Sequence, residues 1–218
     1  MIKGVIFDMD GVLLDNVEYH LEAFRLFGEE QGKSLTREDI QSVFGRKNWD
    51  MLEALLERRL EKEEADRLAD RKEELYRQLI HSEMQEAVVK GLPEFLESLE
   101  KEGLPMAVAT SGPIENVDMV FDGLGIRSRF SAVVTGDQVQ HGKPHPEAFL
   151  TAAELLNLPP EDCVVFEDSV SGIKAALSAG SKCVAVATTH EEDEINTLSP
   201  HLVIQDFQDF SPDRLQEL

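Results

Sequence analysis

Short apolar runs punctuate the second half of this chain. They lie at residues 105–110, 132–136, 163–166, 183–188 and 202–204 and read PMAVAT, AVVTG, CVVF, CVAVAT and LVI. None alternates apolar with polar positions. A strand with one wet face alternates, whereas a strand covered on both faces does not. The runs therefore predict a parallel sheet sandwiched between helices. Helix-like stretches fill the gaps at 92–102, 114–123, 146–157 and 170–179, and glycines such as Gly103 and Gly180 close several of them, as they often close helices. A similar apolar run, residues 2–7, belongs to the same strand set. Strand and helix in alternation imply a three-layer, Rossmann-like α/β core with right-handed crossovers.

Residues 17–87 break this pattern. They contain no strand-like run, are dense in Glu, Arg, Lys and Leu, and predict helices at 20–30, 37–43, 49–60 and 62–82. Thr36 and Asp39 are spaced as a capping box. The expected organisation is a core formed by residues 1–15 and 88–218, with a helical domain of residues 16–87 inserted after the first strand.

Charge narrows the partners. The 218 residues carry 43 acids against 21 bases, a formal net charge of -22. Such a surface repels a nucleic-acid backbone or an anionic membrane as main partner, although a locally positive site can still take a phosphate. No segment approaches the roughly 20 apolar residues of a membrane span, and acids interrupt the first apolar run before it can serve as a secretory signal. Cys163 and Cys183 each open an apolar run and read as buried, reduced core residues. A cytoplasmic monomer is the expected setting.

The polar residues at the strand ends carry the chemistry. The first strand runs into Asp8-Met9-Asp10-Gly11, two acids that share a side if the chain stays extended. Alone, they fit either a solvated turn or a cation site. The second run ends in Thr110-Ser111-Gly112, the loop after the third carries Gly142-Lys143-Pro144, and the fourth ends in Glu167-Asp168-Ser169. Taken singly, Thr110 could be a strand-end hydroxyl, Lys143 a solvated lysine and Glu167-Asp168 a helix cap. Ligands of open α/β sheets bind outside the carboxyl ends of the strands, where all of these would gather.

Those four elements, in that order, resemble the motifs of the haloacid dehalogenase superfamily of phosphotransferases. FDMDGVLLD, VEYH, GKPHPEAF and FEDSVSGIKAA look like its β-phosphoglucomutase-like branch. The resemblance implies that Asp8 is a nucleophile forming an aspartyl-phosphate and that Asp10 is the general acid and base. It implies Mg2+ held by Asp8, the main-chain carbonyl of Asp10, Asp168 and, as ligand or neighbour, Glu167. Thr110 and the amides of Ser111 and Gly112 would hold phosphate oxygens, and Lys143 would balance the acids. The inserted helices correspond to the family's mobile cap. There, His20 and Lys72 match residues near the mutase's sugar; His20 reads equally as a polar helix-face histidine, and on its charged helix Lys72 reads rather as a solvated lysine. In Gly45-Arg46-Lys47-Asn48, the branch's arginine for a second phosphate is replaced by Asn48, with Arg46 and Lys47 as possible substitutes. That departure favours a phosphatase acting on a small phosphorylated metabolite over a hexose-phosphate mutase. An idle binding protein is the contrasting class, and the complete acid, lysine and hydroxyl set speaks against it. Asp15 reads equally as a helix cap, a hinge or a substrate contact.

Overall fold

The computed structural model describes residues 1–43 and 48–218. Six parallel strands form one sheet in the order β3-β2-β1-β4-β5-β6. They are β1 (Gly4–Phe7), β2 (Met106–Ala109), β3 (Ala132–Val134), β4 (Cys163–Glu167), β5 (Lys182–Val186) and β6 (Leu202–Ile204). All six predicted runs are strands: the first three are trimmed by two residues each, the fourth runs one residue longer, the fifth starts one residue earlier and ends two earlier, and the last matches.

The two faces of this sheet differ in chemistry, and the strand period of two decides which residue goes where. Val5, Phe7, Met106, Val108, Val164 and Phe166 point to one face. There Phe7 stacks on Phe166 with ring centroids 5.1 Å apart, and Phe95, Phe207 and Phe210 complete an aromatic cluster. Ile6, Ala107, Ala109, Val165, Cys183 and Ala185 point to the other face, onto alanine-rich helices that approach closely. Both faces are covered, which is why the strands read as unbroken apolar runs. Cys163 and Cys183 are buried free thiols within the sheet, as expected.

The helices are α1 (Val17–Glu30), α2 (Arg37–Gln41), α3 (Asn48–Leu56), α4 (Lys62–Ile80), α5 (Leu92–Lys101), α6 (Ile114–Leu124), α7 (Glu147–Leu155), α8 (Val170–Ala179) and α9 (Glu192–Asn196). The Thr36–Asp39 capping box forms in full. The third helix ends four residues before the expected 60, because Glu57 adopts φ 54° and Glu53 accepts the N–H of Leu60 at 2.9 Å. α9 has no signature in the sequence, since five residues rich in acid show no apolar period. No described helix is long and apolar enough to cross a membrane.

The chain leaves the sheet for α1–α4 and returns at one place. Leu14 bridges Val88, Asp15 N–H donates to Ala87 C=O at 2.7 Å, and Val89 N–H donates to Leu13 C=O at 3.2 Å. Asp15 is exposed at this crossing, and the helix that follows starts after Asn16.

Candidate active site

The sheet order reverses direction between β1 and β4, and the polar residues collect at that switch point. Asp8 N–H still donates to Phe166 C=O at 2.9 Å, so the parallel pairing runs one step past β1 and sets Asp8 beside the end of β4. Gly11 then takes φ +76°, and a Cβ there would overlap the Asp168 carboxylate. The turn needs glycine for conformation and for space.

Asn16 holds this turn in an unexpected way. An asparagine just before a helix reads as an N-cap, yet its side chain makes no cap bond. Instead Asn16 Oδ1 accepts from Gly11 N–H at 3.1 Å, and Nδ2 donates to Asp10 Oδ1 and Tyr76 Oη, both at 2.7 Å. A cap has been given up to orient Asp10, and nothing in a single sequence separates the two uses.

Three buried carboxylates and one buried ammonium form the floor of the site. Lys143 Nζ donates to Asp8 Oδ1 at 2.9 Å and to Glu167 Oε1 at 2.6 Å. Ser169 donates through N–H (2.7 Å) and Oγ (3.1 Å) to Glu167 Oε2, while Ser169 Oγ caps α8 by accepting Gly172 N–H. The serine, and neither acid, is therefore the helix cap. Glu167 has both oxygens occupied and is fully buried, which suits orienting Lys143 better than direct ligation. A Cβ at Gly172 would overlap the Glu167 carboxylate, so the start of α8 packs directly on that acid. Asp168 Oδ2 accepts from Thr189 Oγ1, a contact no sequence signal announced.

Charges here are strongly coupled. Burial, with Glu167 and Asp10 adding, raises the Asp8 carboxyl from 3.8 to about 7 against the opposing pull of Lys143. Burial and the Glu167 and Asp8 charges push Asp168 well above the carboxylate range. For Lys143, burial alone would lower the ammonium, but Asp8 and Glu167 outweigh it and hold it charged. Carboxylate oxygens of Asp8, Glu167 and Asp168 lie within 4.8 Å of one another. An all-oxygen donor set carrying more negative charge than one lysine offsets fits a hard divalent cation such as Mg2+.

Thr110 is buried at the end of β2, where its Oγ1 accepts Gly112 N–H at 3.0 Å. This leaves the hydroxyl proton as the donor toward the cavity. It also engages the Gly112 amide, for which the family resemblance implies a phosphate contact.

The helices supply the opposite wall. The apolar stripe of α4 runs through Ala65, Leu68, Leu75, Tyr76 and Ile80, and Lys72 and Glu73 sit inside it. Lys72 is thus buried, as its position on the stripe dictates, and the alternative of a solvated face does not hold. Its Nζ lies 4.4 Å above the Phe24 ring and donates to Glu73 Oε1 at 2.8 Å and His20 Nδ1 at 3.0 Å. Because the ammonium can only donate, we assign the His20 proton to Nε2. That atom lies 3.2 Å from Asp10 Oδ1 in an off-axis contact, and the ring stacks on Tyr76 at 3.8 Å. Burial would raise Asp10, but His20 and Asn16 outweigh it and hold the carboxyl below its usual range. Gly45, Arg46 and Lys47 lie outside the described residues, as does the side chain of Asn48.

Glu73 ties this wall to the sheet layer. Its Oε2 accepts from Asn116 Nδ2 at 2.7 Å, and Asn116 Oδ1 accepts from Arg77 at 2.9 Å. Asn116 lies in the first turns of α6, so one core amide serves two groups of α4. Burial opposes the charge on Glu73, yet Lys72, His20 and Asn116 keep it ionised below its ordinary value. Replacing Asn116 by alanine removes the buried 2.7 Å hydrogen bond that it donates to the Glu73 carboxylate. We expect a loss of about 1–3 kcal/mol in urea unfolding, together with a raised KM.

Together these groups enclose a cavity of about 80 Å3 between sheet and helices. Asp8, Asp10, Thr110 and Asp168 line one side, and His20, Lys72 and Glu73 the other. A buried carboxylate, a second acid beside it, a hydroxyl and a group of carboxylates able to hold a cation face one small space, an arrangement suited to moving a phosphoryl group.

Comparisons with known proteins agree with that reading. The family model for haloacid dehalogenase-like hydrolases matches residues 2–180. The chain is 36% identical over 82% of its length to a phosphorylated carbohydrates phosphatase of Thermotoga maritima, covering 82% of that protein. It is 34% identical over 99% of its length to the chloroplastic 5-amino-6-(5-phospho-D-ribitylamino)uracil phosphatase of Arabidopsis thaliana, but spans only 57% of that longer protein. Among solved structures, a β-phosphoglucomutase from Clostridium difficile superposes with a TM-score of 0.89 at 27% identity, over 100% of this chain and 96% of the other.

Proposed function

The chain belongs to the haloacid dehalogenase-like hydrolases, and within that family we propose that it is a Mg2+-dependent phosphatase of a small phosphorylated metabolite, a sugar phosphate in the first instance. The observation that carries this is the placement of Asp8: buried at the sheet's switch point, 2.9 Å from Lys143 Nζ, and facing the cavity beside Asp10.

In this reading Asp8 attacks phosphorus and the ester oxygen leaves, giving an aspartyl-phosphate that water then hydrolyses. Lys143 and the Thr110 hydroxyl meet negative charge on the transferring oxygens. Asp8, Asp168 and the Asp10 carbonyl would hold Mg2+, which when bound supplies positive charge against the phosphate and favours ionised Asp8. Asp10, held as a carboxylate by Asn16 and His20, is in the form that takes a proton from the attacking water. A phosphate dianion entering beside it pushes its carboxyl up, toward the protonated form that the departing oxygen needs first. Residues 16–87 act as the cap. They close over the ester through Lys72, Glu73 and His20 and exclude bulk water.

Hydrolysis is favoured over mutase chemistry by the replacement of the branch's second-phosphate arginine with Asn48, and by the engagement of Lys72 with Glu73. The mutase remains the second reading because a β-phosphoglucomutase covers the full chain in three dimensions. The deciding experiment is a Mg2+-dependent screen of phosphorylated metabolites that follows free phosphate and sugar-phosphate isomers together. Phosphate release supports the first reading. Isomerisation without release, stimulated by a trace of bisphosphate, supports the second.

Metal binding should depend on pH in a defined direction. Asp8 titrates near 7 without metal, against 3.8 ordinarily. A raised carboxyl favours the metal-free fold at low pH. That contribution is complete below about pH 4 and is lost as pH rises through 7. Protons and Mg2+ compete for Asp8 and Asp168, both of them raised, so Mg2+ affinity should rise with pH through neutrality by about tenfold or more per unit. Calorimetric Mg2+ titrations at several pH values test this, and a flat profile would remove Asp8 from the metal site.

A further inference from the structure

On the outer side of the loop that carries Lys143, two imidazoles and a carboxylate converge. His141 Nδ1 lies 3.0 Å from Glu147 Oε2, and His145 Nδ1 lies 3.9 Å from the same oxygen. One donor atom from each of the three residues falls within 4.8 Å of the others, and the two rings sit 4.6 Å apart. Both histidines are exposed, so an ion can reach them from solvent without a change in the core.

From this juxtaposition we infer a second metal site, built from His141, His145 and Glu147, that takes a zinc-class divalent ion. A zinc ion with bonds of about 2.0–2.1 Å separates neighbouring ligand atoms by roughly 3.3 Å in a tetrahedron. The observed separations of 3.0 and 3.9 Å straddle that value, so small rotations of exposed rings complete the set. Water would fill the fourth position. The donor chemistry differs in kind from that around Asp8. Imidazole nitrogens suit Zn2+, Cu2+ and Ni2+, whereas Mg2+ prefers oxygen alone.

The carboxylate is already in place for this role. Gln140 N–H donates to Glu147 Oε1 at 2.7 Å, and His141 N–H to Oε2 at 2.9 Å. These main-chain donors fix the carboxylate and, with His141, hold it below the usual carboxylate range. Outer partners of this kind orient metal ligands. On binding, the ion would take the Nδ1 lone pair of His141 in place of the contact with Oε2, and the ring's single proton would sit on Nε2, facing solvent. The ion then clamps His141 to His145 and Glu147, bracing the loop from which Lys143 reaches Asp8.

The test is calorimetric titration of the full chain with Zn2+ in excess Mg2+, which keeps the Asp8 site occupied. It is run on wild type, His141→Ala and His145→Ala, with melting curves to show that each is folded. Both positions are exposed, and neither touches the cavity, so phosphatase turnover without zinc should be unchanged. Wild type should bind one Zn2+ that either variant binds at least about tenfold more weakly, since even loss of an outer partner costs that much. Co2+ in place of Zn2+ should give visible absorption bands in wild type that both variants lack. Equal Zn2+ binding by all three proteins, or none by wild type, would overturn the site.

Discussion

Asp8→Asn abolishes turnover and leaves the protein folded. Asparagine keeps the shape of the side chain and removes the attacking oxygen's charge, so loss of kcat of at least about 10^4-fold is expected, the scale seen when a covalent nucleophile is removed. Stability should move the other way. Asp8 is a buried carboxyl that Glu167 and Asp10 already disfavour as a charge. Removing that charge relieves repulsion among the acids, so above pH 7 and without Mg2+ the variant should melt at or above the wild-type temperature. The response of the melt to Mg2+ should shrink sharply, because one of the carboxylates proposed to hold the ion is gone. A folded variant that retains more than about a hundredth of wild-type turnover would remove Asp8 from the nucleophile's place.

Lys143→Met should damage both activity and fold. The lysine is the only cation hydrogen-bonded to Asp8 and Glu167 among the described residues, and its side chain is almost fully buried. Methionine fills similar volume without charge. The buried acids are then left unbalanced, a situation that typically costs about 3–5 kcal/mol when one partner of a buried pair is removed. Part of that loss should return with Mg2+, which replaces some of the missing positive charge. Turnover at saturating Mg2+ should still fall by about 10^2–10^3-fold, because no donor meets the transferring oxygens from that side. Urea unfolding with and without Mg2+ separates the two effects. An unchanged midpoint in metal-free buffer would mean that the acids are balanced in some other way.

The sheet was legible in the chain because burial on both faces leaves an unmistakable mark. Runs such as CVVF and CVAVAT have no polar position to spare, and each became a strand. The helices α1–α4 were legible as a block, but their ends were not. Where α3 stops depends on Glu57 adopting a left-handed conformation and on Glu53 reaching Leu60, which no period announces. The core site residues stand in the first positions after strands, where acids and hydroxyls contrast with apolar neighbours. Asp8, Asp10, Thr110 and Asp168 therefore stood out and line one cavity, with Lys143 bonded to Asp8 behind it.

The supporting residues were silent for a different reason. Asn16 and Asn116 look like ordinary helix-start polar residues, and Thr189 like a loop threonine. Glu73 is one acid among many on a charged helix. Its position beside Lys72, on a stripe shared with Leu68 and Tyr76, was the available signal, because a charge placed on the buried face of a helix must find partners. Asn16 reaches back five and six residues to the Asp10 turn as well as across to Tyr76, and Thr189 and Glu73 act across long separations in sequence, as in the pairing of Glu73 with Asn116. Such pairings arise only once the tertiary fold has formed.

The central claim is that a phosphoryl group passes from substrate to Asp8 and then to water. It is tested most directly by 31P NMR of a turnover reaction in water enriched in oxygen-18, with the best substrate from the metabolite screen and Mg2+ present. Inorganic phosphate carrying the heavy oxygen, growing as the ester disappears and absent with Asp8→Asn, is the result the account predicts. An isomeric sugar phosphate that accumulates with no labelled phosphate would contradict it, and would mean that a second sugar hydroxyl receives the group in place of water.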